Sequence, residues 1–178
     1  MQDISAHIMD IVQNSIRANA SRVEIVVEES LSGDVFAFTI KDNGCGMDAA
    51  TLAKVTDPFF TSRTVRKVGL GLPLLKQNAE ATGGSVTIQS TEGAGTSVRA
   101  LFSHSHLDRP PTGDIPETVV LLLAANPDRE IVYRHSTEKG EYTLHSTEII
   151  EFLDGVPLND PEIIRALRQM IEENTKDL

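Results

Sequence analysis

Two stripes of different chemistry run down the first seventeen residues, and no other feature constrains the fold as tightly. Ile4, Ile8, Ile11, Val12 and Ile16 recur at helical spacing, which predicts a helix with one apolar face turned to a core. His7, Asp10, Asn14 and Arg17 follow at intervals of three, four and three, so they project from another side of the same helix.

Arg22 to Glu29 and Val35 to Lys41 read as strands joined by the turn Leu31-Ser32-Gly33-Asp34. Leu70 to Ala81 reads as a helix stopped by Gly83-Gly84, and Ser85 to Ser90 and Thr96 to Phe102 as strands around Glu92-Gly93-Ala94-Gly95. Ser103 to Pro116 holds three of the eight prolines and no apolar periodicity, the mark of a connector. It divides the chain into residues 1–103, a linker at 104–117 and a C-terminal part at 118–178. In that last part Thr118 to Ala125 reads as a buried strand, and Glu130 to His135 and Glu141 to His145 as a hairpin. One helix follows, capped by Ser146 or Thr147 and ending at Gly155; another starts at Asp160-Pro161. Paired strands with helices between them predict an α+β fold, its sheet antiparallel or mixed and covered by helices on one face. The C-terminal strands either extend that sheet or form a small α+β extension.

The chain of 178 residues carries a net charge of −10, unevenly placed. Residues 1–103 hold 9 basic and 11 acidic side chains, residues 104–178 hold 7 and 15. Such a balance argues against nucleic acid or an anionic membrane as partner, because phosphate backbones are bound by concentrated Lys and Arg. A small anion needs only a few local donors. The longest apolar run, Val119 to Ala125, falls far short of the ~18 residues of a membrane span. The start Met-Gln-Asp-Ile-Ser lacks the basic and apolar regions of a signal peptide, so the expected location is cytoplasmic. Cys45 is the single cysteine, which excludes an internal disulfide and a multi-cysteine metal site.

Four segments carry chemistry: Asp10-Ile-Val-Gln-Asn14-Ser-Ile-Arg17-Ala18, Asp42-Asn43-Gly44-Cys45-Gly46-Met47, Asp57-Pro58-Phe59-Phe60-Thr61-Ser62 and Gly69-Leu70-Gly71-Leu72-Pro73-Leu74. Their order and spacing resemble the ATP-binding domain of the GHKL superfamily, which takes in gyrase-type topoisomerases, heat-shock chaperones, histidine kinases and mismatch-repair ATPases. The resemblance covers residues 4–103. It implies a two-layer α/β sandwich of the histidine kinase ATPase type, with ATP as ligand and Mg²⁺ as cofactor.

Residue by residue, the resemblance makes Asp42 the acceptor for the exocyclic amine of adenine. Read alone, Asp42-Asn43-Gly44 is a hairpin turn. Gly44 and Gly46 let backbone approach the base, and Ala18 and Met47 join the same set. Gly69 and Gly71, with Leu70 and Leu72, precede or open a helix whose N–H groups face phosphates. Arg63, Arg66 and Lys67 lie in what the family uses as a lid, where cations complement the triphosphate. Phe60 joins the ATP-binding set, although, read with Phe59, it fits a core or lid anchor better than a base-stacking group. Thr96 either hydrogen-bonds near the phosphates or simply begins a strand. Asn14 is implied to hold Mg²⁺ through its amide oxygen, the remaining ligands being phosphate and water.

One turn before that asparagine, hydrolysing members carry glutamate and histidine kinases commonly asparagine. Asp10 retracts the carboxylate by about 1 Å, and a misplacement of that size costs ~10²-fold. Weak general base, water-mediated Mg²⁺ ligand and polar lining residue all remain open for it. His7 is expected at a partly exposed helix start, His104, His106, His135 and His145 in solvent, and Cys45 inert. Few residues precede the first motif, so no phosphoaccepting segment is expected. The expected activity is therefore a kinase acting on a separate partner protein, the alternatives being a slow ATPase or a nucleotide-sensing module.

Overall fold

The computed structural model describes residues 3–57 and 71–178. Helix α1 (Ile4–Arg17) starts at Asp3, whose carboxylate accepts from the Ala6 N–H at 2.8 Å. The Pro111 and Thr112 carbonyls take the N–H groups of Ile4 and Ser5. The connector is thus fastened to the start of the first helix, satisfying donors that would otherwise be orphaned. Asn19, with φ +58°, ends α1 in the left-handed conformation that asparagine tolerates.

Strands β1 (Arg22–Ser30), β2 (Val35–Asp42), β3 (Ser85–Thr91), β4 (Gly95–Ser103), β5 (Glu130–Ser136) and β6 (Glu141–His145) form one sheet in the order β3-β4-β2-β1-β5-β6. All pairs are antiparallel except β1 with β5. The C-terminal hairpin therefore lengthens the same sheet. Val23, Ile25 and Val27 alternate inward along β1, with Ile25 opposite Ile40 and Val27 opposite Phe38 of β2. Four helices supply the facing apolar layer: α1, α3 (Gly71–Ala81), α4 (Ile115–Ala125) and α6 (Pro161–Thr175). Two short ones complete the described elements, α2 (Ala49–Leu52) and α5 (Ser146–Leu153).

Residues 118–125, read from the sequence as a strand, belong to helix α4, which also takes in the last residues assigned to the linker. A continuous apolar run cannot separate a buried strand from a helix buried on most sides. The decisive signal lies upstream, where the Asp114 side chain caps the Glu117 N–H at 2.8 Å and Pro116 occupies the first turn. Helix α4 packs between α1 and α6, so almost every face is apolar. Neither Ser146 nor Thr147 caps α5; Ser146 is its first residue and is buried. Its hydroxyl instead accepts from the Ile131 N–H (2.9 Å) and donates to the Arg129 carbonyl (3.3 Å), pinning the start of α5 to β5.

Two histidines expected in solvent are part of a clasp. The Tyr133 hydroxyl donates to His135 Nδ1 (3.1 Å), and His135 Nε2 donates to Glu29 (2.9 Å). His104 reaches the other oxygen of the same carboxylate at 3.4 Å. The clasp ties the end of β1 to β5 and to the segment after β4, and sequence spacing cannot reveal it because the three strands are distant in the chain. Chiefly through the His135 hydrogen bond, the Glu29 carboxyl is held below its usual range.

Leu122 and Leu123 are buried, while Leu121 is 42% exposed. Alanine at either buried position should cost about 2–5 kcal/mol, and at Leu121 under about 1 kcal/mol, in urea unfolding; a strand would instead group Leu121 with Leu123. Because the folded pKa of Glu29 is depressed, its stabilisation is complete above the ordinary value of 4.5 and fades as pH falls below it. Glu29→Gln should lower stability near pH 7 by about 1–2 kcal/mol and flatten the decline below pH 4.5, as followed by thermal melts across pH.

Candidate functional site

The end of β2, the start of β4 and the last turns of α1 meet around Asp42. Its Oδ2 accepts from the Ser15 hydroxyl at 2.6 Å, and its Oδ1 from the N–H groups of Gly44 (2.8 Å) and Thr96 (3.3 Å). A carboxylate offers about four acceptor sites, so three are filled from within and one remains. Asp42 itself is only partly buried. Thr96 pairs with Asp42 across the sheet and so stands at this end of the site, as the second residue of β4.

The glycines nearby are forced by contact. At Gly44 a Cβ would lie 2.8 Å from the Ala18 carbonyl oxygen; at Gly46, which has φ +65°, it would lie 2.0 Å from the Thr91 oxygen. The Ala18 carbonyl accepts from the Cys45 N–H at 2.8 Å, fastening the turn to the end of α1. Ser90 fixes the far side: its oxygen accepts from the Met47 N–H (2.8 Å) and pairs with the Thr96 hydroxyl (2.8 Å). Asn43 faces away and accepts from the Ser21 and Arg22 N–H groups, which makes it part of the strand connection.

Down α1, Asn14 is partly buried and its amide oxygen accepts from the Arg17 guanidinium one turn on. That oxygen thus faces a cationic side chain. Among the described residues no three His, Cys, Asp or Glu side chains gather as a metal cage. Asn14 thus fits Mg²⁺ only in the manner in which Mg²⁺ keeps most of its shell as phosphate and water. Asp10, also partly buried, stands one turn before it. His7 differs from expectation: it is 1% exposed, covered by α3, with Nε2 3.0 Å from the Asn78 amide nitrogen. Burial lowers its pKa, with the Asp10 and Asp3 carboxylates opposing that shift. Gly71 opens α3 and Leu72 packs on the core. Phe60, Arg63, Arg66, Lys67, Gly69 and Leu70 lie outside the described residues.

Residues 3–106 match the family model for histidine kinase-, DNA gyrase B- and HSP90-like ATPases, more than half of the chain. The chain belongs to this ATPase family. A putative sensor protein of Shewanella frigidimarina is 36% identical over 109 residues, covering 60% of this chain and 17% of that protein. A probable C4-dicarboxylate sensor kinase of Bacillus subtilis is 31% identical over 88 residues (49% and 16%). The signal transduction histidine-protein kinase AtoS of Escherichia coli is 34% identical over 89 residues (49% and 14%). The chain spans less than a fifth of each. Among solved structures, the ATPase domain of Aquifex aeolicus MutL in complex with ADP superposes with TM-score 0.54 at 16% identity, over 88% of this chain and 70% of that one. The N-terminal domain of a DNA repair protein gives 0.55 at 17%, over 80% and 52%. At those identities the likeness shows the fold alone, a mixed six-stranded sheet with helices.

Within this ATPase framework the residues that sequence reasoning passed over are Ser15 and Ser90. Ser15 sits beside Asn14 on the buried side of α1, and that position was its only signal; Ser90 carried none. A shallow cavity of about 260 Å³ lies on the other face of the sheet, among Arg22, Glu24, Arg134 and Glu141, whose charges pair with one another and with Glu130. It is not part of the Asp42 site. No helix among the described residues is long and apolar enough to cross a membrane.

Ser15→Ala should leave the fold intact and weaken adenosine binding about three- to tenfold, since Asp42 loses the donor that orients it, a loss on the scale of one net hydrogen bond. Calorimetry with adenosine checks this; unchanged affinity would separate Ser15 from the site.

Proposed function

We propose that the chain binds ATP with Mg²⁺ and is the nucleotide-binding part of a cytoplasmic protein kinase that phosphorylates a separate partner protein in signal transduction. The Asp42 carboxylate carries this reading: three donors hold it in place, and its remaining acceptor site suits the exocyclic amine of adenine. Gly44, Gly46, Ala18 and Met47 line the base, and Thr96 steadies Asp42. Asn14 holds the metal and displaces Arg17 in doing so. Bound Mg²⁺ supplies charge neutralisation of the phosphates. The first N–H groups of α3, at Gly71 and Leu72, receive phosphate oxygens, with Gly69 and Leu70 leading into them. Arg63, Lys67 and Phe60, which the family resemblance assigns to the nucleotide, complete the proposed set.

Little covalent chemistry is then asked of the chain. Phosphoryl transfer depends on position and electrostatics, and the partner supplies the histidine or serine that receives the phosphoryl group. The similarity to sensor kinases supports this use. A second reading, slow hydrolysis, rests on one observation: Asp10 is a carboxylate on the same side of α1, one turn before Asn14.

Isothermal titration with Mg·ATP should give saturable heat, and Asp42→Asn should weaken binding at least tenfold, about 1.4 kcal/mol. Asn14→Ala should abolish the Mg²⁺ dependence of ATP affinity while sparing adenosine. With labelled ATP, transfer to a partner without free phosphate supports the kinase; steady phosphate release that Asp10→Ala abolishes supports hydrolysis. Absence of any nucleotide binding would overturn both.

A further inference from the structure

His7 is a buried polar group to which neither reading gives a task. An amide nitrogen can only donate, so His7 Nε2 accepts from Asn78, and the imidazole is neutral with its proton on Nδ1. The lowering of its pKa by burial agrees with that form. An unpaired buried nitrogen would carry a desolvation penalty, so the bond persists wherever the two helices stay packed.

Its position along the two helices is what gives it a use. His7 lies seven residues before Asn14 on α1, and Asn78 lies seven residues after Gly71 on α3. Seven residues are two helical turns, about 10 Å. The rung therefore stands at equal distance from the metal-holding end of one helix and the phosphate-facing start of the other. Elsewhere α1 and α3 bury apolar groups such as Ile8, Ile11 and Leu75 in the common core. Apolar contact is non-directional and tolerates a slide of one helix along the other. A hydrogen bond weakens steeply with angle and does not.

We propose that His7 is a positioning residue: its hydrogen bond to Asn78 sets the separation between Asn14 and the start of α3, and so matches the site to a metal-bound triphosphate. The proposal rests on the ATP-binding reading and adds to it the element that measures the length of the ligand. It acts on the phosphate end alone, because Asp42 is held by Ser15, Gly44 and Thr96 without help from α3.

The test is a cycle of four proteins, wild type, His7→Ala, Asn78→Ala and the double variant, titrated with Mg·ATP and separately with adenosine. Each single variant should lose about fivefold or more in Mg·ATP affinity and less than twofold in adenosine affinity. The double variant should be no worse than the weaker single. His7→Gln, whose carbonyl oxygen can accept from Asn78, should recover most of the loss. Equal losses for both ligands, additive losses in the double variant, or unchanged Mg·ATP affinity would overturn the proposal. If His7→Ala fails to fold, Asn78→Ala, which changes a partly exposed side chain, and His7→Gln decide it alone. A wild-type chain that binds adenosine but gains nothing from Mg·phosphates overturns the rung, whereas one that binds neither ligand removes the nucleotide reading itself.

Discussion

The hydroxyl of Ser15 on the carboxylate of Asp42 is the contact on which the arrangement of the site depends. It joins the helix that opens the chain to the end of a central strand, and it uses a side chain whose position on α1 is set by the packing of Ile8, Ile11 and Val12. Two backbone N–H groups, from the glycine turn and from β4, complete the grip. A carboxylate held from three directions keeps its remaining lone pair in a fixed place without moving when a ligand arrives. The close approaches at Gly44 and Gly46 follow from the same need, since the turn must lie against Ala18 and Thr91 for its N–H groups to reach Asp42.

Helix α1 is the common member of every part. Its apolar stripe lies on the sheet, its first N–H groups are taken by Pro111 and Thr112, and α3 and α4 pack along it. The C-terminal residues are accordingly braces of the site's own helix. Through the parallel pairing of β1 with β5 and the Glu29 clasp, they also stiffen the strand next to β2. Whatever alters the packing of α4 or the connector acts directly on the start of the helix that carries Asp10 and Asn14.

Much of this was legible beforehand because it is local. The stripes of α1, the three hairpins, and the Asp160-Pro161 start of α6 are short-range patterns, and the structure places them within a residue or two of where spacing puts them. Asp42 and its glycines were legible as a turn, and as a site only through the company of the other motifs. What escaped is non-local or ambiguous in period. Val119 to Leu123 is apolar in both a helical and an extended reading, and only the cap at Asp114 separates them. His104, His135 and His7 looked exposed because their partners, Glu29 and Asn78, lie 71 to 106 residues away in the chain. Ser15 and Ser90 are small polar residues of a kind found everywhere, and only tertiary contact gives them meaning.

In the proposed function the Asp42 grip selects for an amine on the purine ring, which a comparison of two ligands isolates. Inosine triphosphate keeps the ring, ribose and phosphates of ATP but presents a carbonyl oxygen where adenine has its amino group, so it sets an acceptor against a carboxylate. Calorimetric titration of the same protein with Mg·ATP and Mg·ITP should give at least tenfold tighter binding for ATP, with the difference vanishing in Asp42→Asn. Equal affinity for the two in the wild-type chain would contradict the adenine-gripping role of Asp42 and, with it, the orientation of nucleotide along α1.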